Sequence, residues 1–141
     1  QVEQAADRAR LADDVRGFPE GFATIVGERG ITLSGGQRQR TALGRALLVS
    51  APVLVLDDAL ASVDNNTAAA ILESIRAQDG RTIVMISHQL SAAAACDRIL
   101  VMDNGRIVQQ GHHNALIRAT GVYRRLWERE QAAGQLEGMA S

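Results

Sequence analysis

Cysteine is all but missing, with Cys96 alone among 141 residues. A single thiol closes no internal disulfide and founds no cysteine-rich metal cluster; its expected place is a small buried position in the core. Aromatic residues make up 3% of the chain, too few for a stacking platform that holds single-stranded nucleic acid. No sign of charge dominates either. Fifteen basic residues face sixteen acidic ones for a net charge of -1, so no bulk field draws the chain to nucleic acid. No apolar run approaches the roughly 20 residues that cross a bilayer as a helix. No signal peptide is legible, and the expected compartment is reducing and cytoplasmic. The chain opens on Gln1 where a complete protein would open on Met, so a piece of something longer is expected. What is plentiful is aliphatic: 46% of the residues are hydrophobic, enough for a core at this length.

Along the chain, VEQAADRARLA (2–12) has helical composition without a breaker. Gly17, Pro19, Gly21, Gly27 and Gly30 make 13–32 a loop with short structured pieces. Ser34 is a good N-cap for a helix running to about Ser50. Pro52 ends that register. VLVL (53–56) then forms a continuous apolar run before Asp57 and Asp58, the pattern of a strand buried on both faces of a parallel sheet. Asn65 and Asn66 lead into a helix, TAAAILESIRAQ, stopped by Asp79-Gly80. TIVMIS (82–87) is a second buried strand and RILVM (98–102) a third, and Asp103-Asn104-Gly105 is a hairpin turn from which RIVQQ (106–110) returns. Beyond His112 the chain reads as helical, with Tyr123 and Trp127 four residues apart on one face that packs a terminal helix onto the core. The last stretch, QAAGQLEGMAS, is expected to fray. His112 and His113 have no other ligand types nearby and are not expected to bind metal. Strands alternating with helices predict an α/β layered fold.

The stretch ITLSGGQRQR (31–40) poses a chemical question, because Ser-Gly-Gly is a poor way to begin a helix. The first turn of a helix carries unpaired N–H groups and a partial positive charge. Glycines there let an anion reach the backbone, with the Ser34 hydroxyl and the Gln37 carboxamide close by. Ser34, Gly35, Gly36 and Gln37 are therefore a candidate phosphate seat, although an ordinary glycine-containing turn into a helix would look the same.

LSGGQRQR is followed by VLVLDD, then ALASVD, then a strand ending in ISH. This ordered set resembles the second half of the ATPase domain of ABC transporters, whose signature is LSGGQ, and the resemblance covers residues from about 20 to 127. It implies the C-terminal part of an ABC-ATPase, a P-loop NTPase fold. Residues 1–50 would belong to the helical subdomain with its X-loop and signature helix. Residues 51–120 would carry the Walker B, D-loop and H-loop part of the parallel-sheet core, and 121–141 a C-terminal helix and tail. ATP and Mg2+ are the implied cofactors. Asp57, which otherwise reads as a cap for the next turn, matches the aspartate that holds Mg2+. Asp58 stands where the family usually has the glutamate that aligns and polarises the attacking water. An aspartate falls about 1.5 Å short, the mark of a weakened, degenerate site within an asymmetric pair of subunits.

The resemblance makes His88 the switch histidine at the γ-phosphate. It makes Ala61-Ser62-Val63-Asp64 the D-loop, with Asp64 facing the nucleotide across the dimer or capping the next helix. Alanine replaces the D-loop's usual leading serine. TIVGERG (24–30) is similar to the X-loop of exporters, which sets Glu28 and Arg29 near a membrane domain. No G-x-x-x-x-G-K-[ST] loop, Q-loop or adenine-stacking aromatic is present. The Walker A half is therefore expected N-terminal to residue 1, and neither tight ATP binding nor stable solitary folding is expected of these residues alone. The implied protein is an ABC exporter's ATPase at the cytoplasmic face of the cell membrane. Its partners would be a second ATPase subunit, in a heterodimer, and a transmembrane domain. A soluble family ATPase of translation or repair, or a truncated non-catalytic fragment, are the competing readings; the X-loop and near-neutral charge oppose the first.

Overall fold

The computed structural model describes residues 1–28, 31–77 and 80–139. It divides into two compact units, Gln1–His88 and Gln89–Ser141.

In the first unit, the helix expected over 2–12 ends early. α1 spans Val2–Arg8, and α2 follows at Ala12–Arg16 inside the expected loop. The break is a Schellman turn. Arg10 sits at φ 52°, Leu11 N–H donates to the Ala6 carbonyl (2.8 Å) and Arg10 N–H to that of Asp7 (3.0 Å). Glycine usually fills that left-handed position; here an arginine does, so no breaker shows in the sequence. α1 packs on α3 (Gly35–Leu48) through small residues. A side chain at Gly44 would touch Ala9 and the Ala5 carbonyl at 3.7 Å, and Ala5, Ala6, Ala9, Leu43 and Leu47 are buried.

β1 (Val53–Asp57) and β2 (Thr82–Ile86) pair in parallel, with Asp57 opposite Ile86. Neither β1 nor β2 is buried on both faces as its apolar run predicts. Leu54 and Leu56 are buried, whereas Val53 and Val55 are 49% and 60% exposed, and Val84 and Ile86 of β2 are also open. The described residues cover one side of this strand pair, and side-chain alternation leaves the other bare. α4 (Asn65–Arg76) is capped by Asp64, whose carboxylate accepts from Thr67 N–H at 2.9 Å. The helix buries Ala68, Ile71, Leu72 and Ile75. Of the expected stop, Asp79 lies outside the described residues, while Gly80 sits at φ 89°.

In the second unit α5 (Leu90–Ala94) precedes a hairpin of β3 (Ile99–Asp103) and β4 (Arg106–Gly111). Its Asn104-Gly105 turn has both residues at positive φ, as the sequence predicts. α6 (His113–Leu116) and α7 (Val122–Met139) follow. Within the stretch expected to fray, α7 continues to Met139 past Gly134 and Gly138, since Ala, Gln, Glu and Leu favour helix; residues 140 and 141 lie outside the described residues. Cys96 is half-buried, not fully buried as expected, with its Sγ 3.7 Å from the Ala92 carbonyl oxygen.

Tyr123 is 1% exposed and forms a core with Ile99, Val101 and Leu116. Its hydroxyl lies 2.9 Å from His113 Nδ1, and the same imidazole meets the Trp127 ring edge-on at 4.5 Å. Burial first, and the Glu130 charge second, hold the Tyr123 phenol above its ordinary range. Its proton leaves the unfolded chain near pH 10 and the folded one only at higher pH, so this contribution to stability is present below pH ~10 and fades above it. Tyr123→Phe is expected to lower stability by about 1 kcal/mol and to remove that alkaline slope. Melting curves of the full-length protein at pH 8 and pH 11 check both.

Candidate functional site

Ser34 caps α3 with extended backbone (φ −63°, ψ 165°) and closes a capping box. Its Oγ accepts from Gln37 N–H at 3.2 Å, and Gln37 Oε1 accepts from Ser34 N–H at 2.9 Å. Gln37 Nε2 donates to Asp14 Oδ1 (2.8 Å), and Arg40 donates to Asp14 Oδ2 (2.8 Å). Asp14 thus ties α2 to the start of α3 from a segment the sequence marks only as loop. The two glycines are not equivalent. A Cβ on Gly36 would lie 2.9 Å from the Ser62 carbonyl oxygen, whereas one on Gly35 would sit 3.7 Å from Ser62 Oγ, an ordinary contact. Gly36 is therefore required by close approach to the chain's own backbone, a demand separate from any ligand.

The second cluster sits at the carboxyl edge of the parallel strands, where ligands of such sheets bind. Asp57 closes β1 and is exposed. Asp58 follows at φ 45°, a region that aspartate enters more readily than most residues. Its N–H donates to the Ile86 carbonyl at 3.0 Å. His88, two residues past β2, brings Nε2 to 3.5 Å from Asp58 Oδ2. Both side chains are solvated, so this contact adds little to stability. Asp57 and Asp58 line a cleft of about 310 Å3 together with Gln39, Leu43, Val55 and Leu56. Asp64 is exposed at the start of α4, and the Thr67 backbone N–H, then its hydroxyl, hold its carboxyl below the usual range. That small contribution is present above pH ~4 and is lost as pH falls through the lowered value.

Apart from Asp64 at the start of α4, the predicted residues form two groups, Ser34–Gln37 beside Ser62, and Asp57, Asp58 and His88 at the strand edge. The side chain joining them is not among the motif residues. Gln39 Oε1 accepts from Ser62 N–H at 2.8 Å, and its Nε2 donates to the Asp58 carbonyl at 3.4 Å. Its spacing of three from Gly36 was the available signal, since such residues share a helix face. Of the X-loop candidates, Glu28 is exposed beside the Val26–Ile31 bridge, and Arg29 lies outside the described residues.

Known proteins resemble the chain in sequence and in fold. The ABC transporter family profile matches residues 1–61. The chain is 43% identical over 138 residues to the multidrug resistance-like ATP-binding protein MdlA of Escherichia coli, covering 97% of this chain and 23% of that protein. Against the ATM1-type heavy metal exporter of Novosphingobium aromaticivorans identity is 43% over 133 residues, covering 94% and 22%. The solved structure of a bacterial Atm1-family ABC exporter with ATP bound superposes with a TM-score of 0.85 at 43% identity, over 92% of this chain and 23% of that one. The chain spans about a quarter of the length of the relatives it matches. By these likenesses in sequence and fold, the chain belongs to the ATP-binding domains of ABC transporters, and the relatives it matches include exporters.

Proposed function

We propose that, within its full-length protein, this chain forms part of an ATPase that powers export across a membrane. It would do so as the degenerate-site member of a heterodimer, at the membrane's cytoplasmic face. The observation that carries this reading is the Asp58–His88 approach of 3.5 Å at the edge that Asp57 also occupies. Asp57 offers exposed, hard oxygen donors, the type Mg2+ takes. Bound there through water, the ion would neutralise charge on the β- and γ-phosphates. Asp58 would orient the attacking water, and His88 would hold Asp58 and the γ-phosphate in register. Ser34, the Gly35 and Gly36 amides, Gln37 and Asp64 would face the nucleotide held by the second subunit. Among the described residues no helix is long and apolar enough to cross a membrane; the membrane domain belongs to other parts of the full-length protein in this reading. Exporters among the relatives favour it over a soluble family ATPase.

Asp58→Glu in the full-length protein tests the degenerate base. Restoring the missing methylene recovers part of the roughly hundredfold loss that an ångström of misplacement brings. Glutamate is less at ease at φ 45°, which offsets about 1 kcal/mol of that gain. Turnover is expected to rise about tenfold, measured as phosphate release. An unchanged rate would remove the degenerate-site reading.

A further inference from the structure

The face of α3 that carries Gly36 and Gln39 is shaped for one short stretch of backbone, the turn from Asp58 to Ser62. Gln39 uses both ends of its carboxamide on that turn, accepting from Ser62 N–H (2.8 Å) and donating to the Asp58 carbonyl (3.4 Å). The Asp58 carbonyl also accepts from Ala61 N–H (3.1 Å), which closes the turn on itself. On the far side, Asp58 N–H is tied to Ile86 of β2 (3.0 Å). The Ser62 carbonyl rests where Gly36 has no side chain. Ser62 is thus held at its N–H by Gln39, while its carbonyl lies close against Gly36, about one helical turn away on α3. Meanwhile Asp58, at φ 45°, sits in a backbone conformation that persists only when its surroundings fix it.

We propose that Gln39 is a positioning residue: it clamps the Asp58–Ser62 turn to α3, so that the strand-edge carboxylates and the glycine start of α3 keep one geometry and move together. This rests on the reading in which Asp58 serves the chain's own nucleotide and the start of α3 serves the partner's. Glutamine is suited because the task needs a donor and an acceptor on one planar group. Glutamate keeps the acceptor for Ser62 and, ionised, loses the donor for Asp58; leucine keeps the volume and loses both.

The test uses the full-length transporter with its partner subunit and compares Gln39→Leu, Gln39→Glu and Asp57→Asn. For Gln39→Leu, kcat for ATP is expected to fall about tenfold with KM within twofold of the parent and melting temperature within a few degrees. Gln39→Glu is expected to fall between the two. Where Gln39→Leu does not accumulate as folded transporter, Gln39→Glu decides, with an expected threefold loss of kcat at unchanged KM. Unchanged kcat in both variants overturns the clamp, as does a fall in kcat that merely tracks a lower melting temperature. Asp57→Asn separates the two levels of failure. If it abolishes Mg2+-dependent ATP retention while the Gln39 variants behave as the parent, the clamp alone is wrong. If it leaves retention intact, the functional reading fails and the clamp with it.

Discussion

Replacing Asp57 by asparagine in the full-length protein is expected to weaken Mg2+-dependent ATP retention at this chain's own site by on the order of a hundredfold. Asparagine keeps the shape of the side chain and removes one formal charge. A charge-assisted interaction contributes about 1.5–3 kcal/mol, and each ~1.4 kcal/mol is a factor of ten. The fold should not register the change, because Asp57 ends its strand exposed and its backbone pairing with β2 does not involve the carboxylate. Nucleotide trapping with and without Mg2+, set beside a melting curve, checks both halves. Retention that is indifferent to the substitution would make Asp57 a strand terminator and nothing more.

Gly36→Ala is expected to be the most disruptive single-methyl change in the signature segment, and Gly35→Ala much the milder. The added methyl at Gly36 would sit 2.9 Å from the Ser62 carbonyl oxygen, a backbone atom that cannot swing aside as a side chain does. Overpacking of this kind costs about 1–3 kcal/mol, against up to about 1 kcal/mol gained in helix propensity. The displaced turn is the one that carries Asp58 at one end and Ser62 at the other, so turnover should fall together with stability. At Gly35 the nearest atoms stand at 3.7 Å and belong to the Ser62 side chain. Its alanine variant should melt like the parent. Differential scanning of the two full-length variants, with ATP turnover on each, distinguishes this from a purely ligand-driven need for glycine. That alternative would leave both melting temperatures alike.

Much of this was legible from residues alone, and the remainder fails for identifiable reasons. Ser34 announced its helix because capping chemistry is local: a hydroxyl and a carboxamide three residues apart suffice. The strands and the Asn104-Gly105 turn were likewise local signals. The end of α1 was not, since its left-handed residue is Arg10 and side-chain identity does not reveal the Schellman bonds. The burial of β1 is not written in VLVL, which records only that its side chains are apolar; what lies against each face is a fact of tertiary structure. In the site, Ser34–Gln37, Asp57, Asp58 and His88 were visible as motif residues. Gln39 and Asp14 matter through bonds spanning 19 to 26 positions: the spacing of Gln39 from Gly36 is a faint local sign, and Asp14 has none.

The reciprocal bonds between Ser34 and Gln37 have a kinetic meaning for any anion that arrives there. The helix opening is already folded before the encounter, braced from behind by Asp14, so docking freezes almost no additional chain motion. Gly35 and Gly36 lie inside that finished turn. In the proposed pairing of two subunits, association would then be the meeting of preformed surfaces, its speed set by diffusion and alignment rather than by local refolding.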